Sequence, residues 1–351
     1  MWGLKVAHKQ QYRSNVLNGS LSVICMALAL VVSGCGGESK TESASSSGKD
    51  GKKLDKVVLL LNWYPEAEHG GFYAAKVHGI YEQYGLDVEI RPGAENIPVA
   101  QEMALGRVQF GIGNADDVLL FRNAKADIVS LLAPIQLTPR CIMVRENSGI
   151  ENLSQLKGLT LQANDAQSFM QFMKQRGMLD GVQVIPYSGS VARFVADEKT
   201  AVQAYSFSEP LVAEQQGVKS KTLMLSNIGF NPYASCLMAT RSYATEQADI
   251  VKRMTLASKA GWQKYLSDAK ETNAYIHSLN KDNMTTEALA FGAEKLKPLC
   301  LPDGMAESEL GTMTAERWKQ LVDQFVELKL VDPAVVKAEE TFLPVPQAET
   351  K

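Results

Sequence analysis

The sequence has 351 residues, of which 45% are hydrophobic and 21% charged, and its 39 acidic and 36 basic side chains give a net charge of −3. A mildly acidic chain without a basic cluster is a poor candidate for binding nucleic acid. Cys141, Cys236 and Cys300 are too few and too widely spaced for a disulfide framework or a zinc site, and the length suits two domains.

The N-terminus has the pattern of a bacterial lipoprotein signal. Basic residues and no acidic ones precede an apolar run over 21–32, which has the length of a signal sequence and is too short to span a bilayer permanently. The run leads into Val-Ser-Gly and then Cys35, the arrangement of a lipobox, in which the cysteine is diacylated after cleavage. We therefore predict a signal peptide over 1–35 and a protein anchored outside the cytoplasm, on the periplasmic face or the cell surface, through lipidated Cys35.

A polar segment follows the predicted lipidation site. Residues 36–53 are rich in glycine, serine and charged side chains and contain nothing to bury, so we predict a flexible tether. No later apolar stretch is long enough to cross a membrane.

From residue 56 onward, short apolar or alternating runs are interleaved with helical patterns. The run over 57–61 is continuously apolar, which is typical of a buried parallel strand. Further strands are predicted over 86–90, 108–112 and 128–133, and helices over 72–76, 99–105 and 115–123. This alternation predicts a doubly wound α/β layer.

A second alternating set begins at Cys141. Its strands are predicted over 141–144, 159–161, 182–185 and 201–205, after which 236–239 precedes long helical patterns over 244–269 and 316–329. We therefore predict an α/β protein with two lobes and two hinge crossovers. Lobe I is discontinuous and takes residues 54–140 and 235–345, whereas lobe II takes residues 141–234.

The predicted crossovers carry one cysteine each. If the chain leaves lobe I near Arg140 and returns near Tyr233, the two connecting segments run side by side through the hinge. We therefore expect Cys141 and Cys236 to be neighbours in the hinge rather than in either lobe. A disulfide between them stays open, because an exported compartment permits one but their side chains can point to opposite faces.

Several segments of the sequence resemble one family, and the likeness covers residues 56–335. The family comprises pyrimidine-precursor-binding lipoproteins of thiamin-salvage ABC importers and the related eukaryotic thiamin pyrimidine synthase, within a superfamily that includes alkanesulfonate-, taurine- and nitrate-binding proteins. The resemblance implies the type II periplasmic-binding-protein fold. The similar segments, of which Asn62-Trp63 is the most specific, are 61–65, 69–76, 79–81, 85–90, 110–112, 149–150, 156–158, 207–210 and 231–233.

One member of that family is an enzyme. The synthase resemblance implies a lysine that holds pyridoxal phosphate, a donor histidine and a cysteine-rich run that binds iron. Residues 111–117, where the lysine and histidine are expected, contain neither, and the segment of the cysteine run has only Cys236. We therefore predict a binding protein without catalytic activity, cofactor or metal.

The candidate ligand-binding residues follow predicted strands, where ligands of α/β sheets bind. Their carboxylates and aromatic rings suit a flat, neutral or cationic heteroaromatic ligand such as a thiamin pyrimidine precursor. Sulfonates, taurine or another small anion remain the alternative, since Arg140 at the first crossover can clasp an anion as well as form a salt bridge. The candidates are Asn62, Trp63, Tyr64, Glu66, His69, Tyr73, Asn114, Asp117, Tyr187, Ser188, Ser190, Glu209 and Tyr233.

Each candidate also has a structural explanation. Trp63 suits core packing, His69 suits a helix start, and Asn114 with Asp117 suits the first turn of a helix. Glu209 precedes a proline that is typical of a first helical turn. For the whole protein we expect a monomer whose lobes close on a small molecule by hinge bending and then dock on an ABC permease.

Overall fold

The computed structural model describes residues 53–95, 97–280 and 284–347, so the predicted signal peptide, Cys35 and nearly all of the tether lie outside the described residues. The strands are β1 (Asp55–Leu60), β2 (Leu86–Arg91), β3 (Phe110–Gly113), β4 (Ile128–Leu132), β5 (Arg140–Arg145), β6 (Thr160–Gln162), β7 (Gln183–Ile185), β8 (Thr200–Tyr205), β9 (Ser220–Met224) and β10 (Cys236–Thr240).

Twelve α-helices are interleaved with these strands in the described part of the chain. They are α1 (Gly70–Val77), α2 (Ile80–Gln83), α3 (Val99–Ala104), α4 (Ala115–Asn123), α5 (Ser168–Gln175), α6 (Ala192–Ala196), α7 (Glu209–Gln215), α8 (Arg241–Glu246), α9 (Ala248–Ser267), α10 (Lys270–Leu279), α11 (Thr286–Cys300) and α12 (Ala315–Glu327). Short 3₁₀ turns cover Ala67–His69, Glu146–Ser148, Leu153–Gln155, Leu225–Ile228, Glu307–Glu309 and Ala338–Glu340.

The strands form two five-stranded sheets of related topology. The first sheet has the order β2-β1-β3-β10-β4 and the second β7-β6-β8-β5-β9. One strand of each sheet, β10 in the first and β5 in the second, runs antiparallel to both of its neighbours. By contrast, β1 and β6 run parallel to both of theirs. Because β10 follows the whole second sheet in the chain and yet lies in the first, the chain crosses between the sheets twice. The residue limits given above for the two lobes remain a prediction.

The two crossovers run side by side, but at a different register from the one predicted. Ile135 and Ala234 form an antiparallel bridge, in which the Ala234 N–H donates to the Ile135 carbonyl at 3.0 Å. Cys141 instead lies in β5 opposite Ala204, and Cys236 lies in β10 of the other sheet. Both thiols are free and buried. The prediction that the two cysteines are neighbours in the hinge is wrong, because Cys141 lies in a strand of the second sheet and Cys236 in a strand of the first.

The helical pattern over 244–269 is divided in the structure. Thr240 caps α8, its hydroxyl accepting from the Tyr243 N–H at 3.1 Å, and Gln247 between α8 and α9 has φ −119° and ψ 42°, outside the helical region. The apolar periodicity continues through this break, so periodicity alone predicts one helix. None of the helices in the described ranges combines the length and apolarity needed to cross a bilayer.

Glycines allow α1 and α9 to pack in close contact. A Cβ added to Gly71 would overlap the ring of Trp262, and one added to Gly70 would overlap the ring of Tyr265. Both aromatic side chains lie buried in α9. The close approach therefore requires glycine at these two positions, and it fixes the start of α1 and the loop that precedes it.

Apolar contacts also join the two sheets. Phe207, which follows β8 of the second sheet, lies in one buried cluster with Val57 and Phe110 of the first sheet. The two lobes are thus in contact across the cleft in this structure.

Candidate ligand-binding site

The loop after β1 brings a buried histidine next to an amide and a carboxylate. His69 is fully buried, and its Nε2 lies 3.0 Å from Asn62 Oδ1 and 3.2 Å from Glu68 Oε1. Its Nδ1 has no hydrogen-bond partner among the described residues. Because the glycines of α1 fix the histidine backbone, this cluster has a defined position at the carboxyl end of the first sheet.

Glu66 places a carboxylate from the same loop near carboxylates of both lobes. Its side chain is 9% exposed, and burial, followed by the negative charges of Glu68 and Glu209, raises its pKa well above the ordinary value. Glu209 belongs to the second lobe. The acidic groups of the two lobes are therefore close enough to influence one another across the cleft.

Glu209 is held in the cleft by two donors of its own lobe. The Tyr187 hydroxyl donates to Oε1 at 3.0 Å, and the Tyr205 N–H donates to Oε2 at 2.8 Å. Burial raises the pKa of the Glu209 carboxyl. The glutamate begins α7 ahead of Pro210, as the structural explanation expects, and its carboxylate turns back toward the end of β8.

Asn114 connects the first lobe to the crossover and to the second lobe. Its Oδ1 accepts from the Ser235 N–H at 3.1 Å, and its Nδ2 lies 3.5 Å from the Tyr205 hydroxyl. Asp117 caps the start of α4 by accepting from the Asn114 N–H at 2.8 Å. Burial and then the charge of Asp116 raise the pKa of Asp117 to about 7. Asn114 is thus the better placed of the two for contact with both lobes.

Arg140 is neutralised by a buried carboxylate. Its Nη1 lies 2.6 Å from Asp116 Oδ2, which also accepts from the Ser168 hydroxyl at 2.5 Å. Arg140 and Asp116 are 7% and 1% exposed. Asp116 lies in the first turn of α4 in the first lobe and Ser168 begins α5 in the second, so this network joins the lobes. Of the two roles open to Arg140 in the sequence, the structure shows the salt bridge.

The remaining predicted residues lie in different surroundings. Tyr233 packs under the Arg317 guanidinium at 3.7 Å, on the hinge, and Tyr73 is buried against Tyr275 in the core. Trp63 is half-buried with its ring edge-on to the exposed Tyr64, at 5.4 Å.

The serines of the predicted loop have local partners. The Ser190 hydroxyl accepts from the Ala192 N–H at the start of α6, and the Ser188 hydroxyl accepts from Gln162 Nε2 at 2.8 Å. The contacts thus join Asn62 to His69 and Tyr187 to Glu209, and Tyr205 links Glu209 to Asn114, whereas Tyr73, Ser190 and Tyr233 have partners outside this set.

Some cleft residues were not among the candidates. Glu68, Tyr205 and Gln162 are missing from the sequence prediction, although Tyr205 and Gln162 end strands of the second sheet. The available signal was a polar side chain at the end of a predicted strand, since Tyr205 is the last residue of the strand predicted over 201–205 and Gln162 directly follows the one predicted over 159–161. Glu68 gives no such signal, because only the fold shows that it is buried.

The residues at the synthase positions do not fit pyridoxal phosphate or iron. The end of β3 presents Asn114, Ala115 and Asp116, which supply no amine for a Schiff base. Within the described ranges no three His, Cys, Asp or Glu side chains are grouped so as to hold a metal ion.

Two characterised proteins are similar in sequence to parts of this chain. The formylaminopyrimidine-binding protein of Halalkalibacterium halodurans is 27% identical over 143 residues, which are 40% of this chain and 41% of that protein. The riboflavin-binding protein RibY of Chloroflexus aurantiacus is 23% identical over 229 residues, or 62% of this chain and 64% of RibY. The chain thus spans less than two thirds of the length of either relative.

The fold is shared with solved binding proteins. The periplasmic aliphatic sulphonate binding protein SsuA from Escherichia coli superposes with a TM-score of 0.64 at 18% identity, over 85% of this chain and 95% of SsuA. This likeness shows the two-lobed type II periplasmic-binding-protein fold that the sequence predicts. The NMT1/THI5-like family model matches residues 66–272, more than half of the sequence, and the chain therefore belongs to that family.

Proposed function

We propose that this protein is the extracytoplasmic solute-binding component of an ABC importer, and that it captures a small nitrogen heteroaromatic between its lobes. The observation that carries the proposal is the buried Glu209 carboxylate of the second lobe, held by Tyr187 and Tyr205 beside Asn114 of the first lobe, whose Nδ2 lies 3.5 Å from the Tyr205 hydroxyl. The names of the two sequence relatives support the same ligand class, since formylaminopyrimidines and riboflavin are both flat nitrogen heterocycles.

The carboxylates favour a ligand that donates hydrogen bonds or carries a positive charge. Burying a carboxylate without a partner is costly, and burial raises the pKa of both Glu66 and Glu209. Ring N–H or amino groups of an aminopyrimidine offset this cost by donating to the carboxylates. The half-buried Trp63 offers an aromatic face to such a ring.

A small anion such as a sulfonate or taurine is the second candidate, and the charges disfavour it. An anion-binding cleft needs unpaired cationic side chains or clustered N–H donors. Arg140, which the sequence offers for this role, is paired with Asp116 at 2.6 Å, and the carboxyl groups of Glu66 and Glu209 in the candidate site supply no positive charge to a sulfonate.

Isothermal titration calorimetry tests the ligand class. We expect a formylaminopyrimidine or riboflavin to bind with micromolar or tighter affinity, and an alkanesulfonate to give no heat at the same concentrations. Tight binding of the sulfonate, together with no response to either heterocycle, would reverse the assignment.

Membrane attachment is a separate prediction, and it rests on residues outside those described. The lipobox predicts that Cys35 is diacylated, which holds a protein stably on a membrane. Cells fed radiolabelled palmitate are expected to label the wild-type protein, and it is expected to sediment with membranes. A Cys35→Ala variant that still incorporates label and still sediments would disprove the anchor.

We also expect no pyrimidine synthase activity. The end of β3 offers no lysine for pyridoxal phosphate, and the segment that aligns with the cysteine run has Cys236, whose burial keeps its thiol protonated by raising the pKa to about 12. Incubation with pyridoxal phosphate and iron should give no Schiff-base absorbance and no pyrimidine product. Either signal would favour the enzyme over the binding protein.

A further inference from the structure

Three non-glycine residues in the described ranges have a positive φ. They are Lys125 with φ 65°, Ser235 with φ 52° and Lys329 with φ 58°. Lys125 and Lys329 each stand one residue beyond the C-cap of a helix, α4 and α12, where the left-handed conformation is common. Ser235 follows no helix and directly precedes β10. A left-handed backbone is unfavourable for a side chain with a Cβ, so the surroundings of Ser235 must hold it there.

Ser235 joins the hinge to both binding loops of the first lobe. Its N–H donates to Asn114 Oδ1 at 3.1 Å, and its hydroxyl donates to the Glu68 carbonyl at 2.7 Å. The preceding residue, Ala234, forms the bridge with Ile135 of the other crossover. Ser235 is 1% exposed, so both of its hydrogen bonds are shielded from water.

We propose that Ser235 is a positioning residue for lobe closure. Its hydrogen bonds to Asn114 and Glu68 hold its backbone in the strained conformation, and they couple the arrangement of the two binding loops to the hinge. Hinges are a few residues that absorb changes in φ and ψ, and strained residues persist where neighbouring contacts over-determine them, often at switch regions. The proposal rests on the proposed function only in assuming that the lobes open and close.

Two substitutions at Ser235 remove the same hydroxyl and differ only in backbone strain. In Ser235→Ala the strain stays and the bond to Glu68 is lost, so the closed-to-open ratio is expected to fall about fivefold. In Ser235→Gly the same bond is lost but the left-handed backbone is no longer unfavourable, so the ratio is expected to lie about fivefold to tenfold above that of Ser235→Ala.

Single-molecule fluorescence energy transfer on the ligand-free protein measures this ratio. Fluorophores attached to p-acetylphenylalanine at the exposed positions Glu82 and Glu198 report on one lobe each. Lys125→Gly and Lys329→Gly are matched controls, because they relieve the same strain at helix ends. Both lysine substitutions are expected to raise the free energy of unfolding and to leave the closed-to-open ratio unchanged.

The proposal fails if Ser235→Gly and Ser235→Ala give the same closed-to-open ratio, if the lysine controls shift the ratio as much as the difference between the serine variants, or if the wild type shows a single population that neither serine variant alters. Since no ligand is present, the result is independent of ligand class. A higher ratio in Ser235→Gly than in Ser235→Ala upholds the proposal even if calorimetry finds no heteroaromatic ligand, in which case only the proposed function fails.

Discussion

Replacement of Asp116 by alanine is expected to lower the free energy of unfolding by about 3 kcal/mol, because removing one partner of a buried ion pair leaves the other charge uncompensated. Asp116 is 1% exposed and accepts from both Arg140 and Ser168. The expected loss lies at the low end of the range for buried ion pairs. Without the charge of Asp116, the nearby carboxyl of Asp117 ionises more readily and neutralises part of the Arg140 charge. Urea unfolding followed by circular dichroism measures it.

A half-exposed ion pair provides the control. Asp127 pairs with Arg122 at 3.2 Å, but its side chain is 51% exposed, and Arg122 keeps Glu340 as a second partner at 2.7 Å, so Asp127→Ala is expected to cost less than about 1 kcal/mol. Equal losses in the two variants would show that the Asp116 network contributes no more than an exposed pair.

The same network gives the stability a pH dependence. The pKa of Asp117 is raised from 3.8 to about 7 in the folded protein. Between these values the folded state binds more protons than the unfolded state, so the contribution of Asp117 is fully present below pH 3.8 and is lost as the pH rises through 7. In Asp116→Asn the neighbouring negative charge is removed, and the loss of stability between pH 5 and pH 8 is expected to shrink. A larger loss than in the wild type would contradict this.

Replacement of Glu209 by glutamine is expected to weaken heteroaromatic binding about 10- to 100-fold. The substitution keeps the size of the side chain and removes the charge that strengthens hydrogen bonds from ligand N–H groups. The amide oxygen can still accept from the Tyr205 N–H, and the amide NH2 can donate to the Tyr187 hydroxyl, which accepts as well as donates, so the fold is expected to change little. Calorimetry with a formylaminopyrimidine, beside urea unfolding, separates the two effects.

Glu214 on the same helix offers a matched control, because it is exposed. Glu214→Gln is expected to leave affinity unchanged. If Glu209→Gln binds as tightly as the wild type but unfolds more easily, Glu209 is a structural residue at the start of α7 and not a ligand contact.

Much of the fold was predictable because periodicity and helix signals agree in this sequence. The helix predicted over 115–123 coincides with α4, whose Asn114 and Asp117 supply the expected signals at its start. The break at Gln247 was not predictable, since the apolar periodicity runs through it. The register of the crossovers was missed for a related reason. A run of β-forming residues does not reveal whether it pairs in the hinge, as Ile135 does, or in a sheet, as Cys141 does.

Part of the candidate site was predictable, because Asn114 follows a strand of its own sheet. It was not predictable which of the predicted tyrosines would lie beside other candidate residues. Nothing in the local sequence distinguishes Tyr187, which donates to Glu209, from Tyr233, which packs on Arg317 at the hinge. Both tyrosines directly follow a proline, and only the tertiary arrangement places one beside Glu209 and the other beside Arg317.

Native mass spectrometry of protein purified without denaturation tests the central claim, the capture of a nitrogen heteroaromatic between the lobes, most directly. We expect a 1:1 complex whose released small molecule fragments as a nitrogen heterocycle, and loss of that complex in Glu209→Gln but not in Glu214→Gln. A released sulfonate or other anion, or a heterocycle retained equally by both variants, would contradict the account.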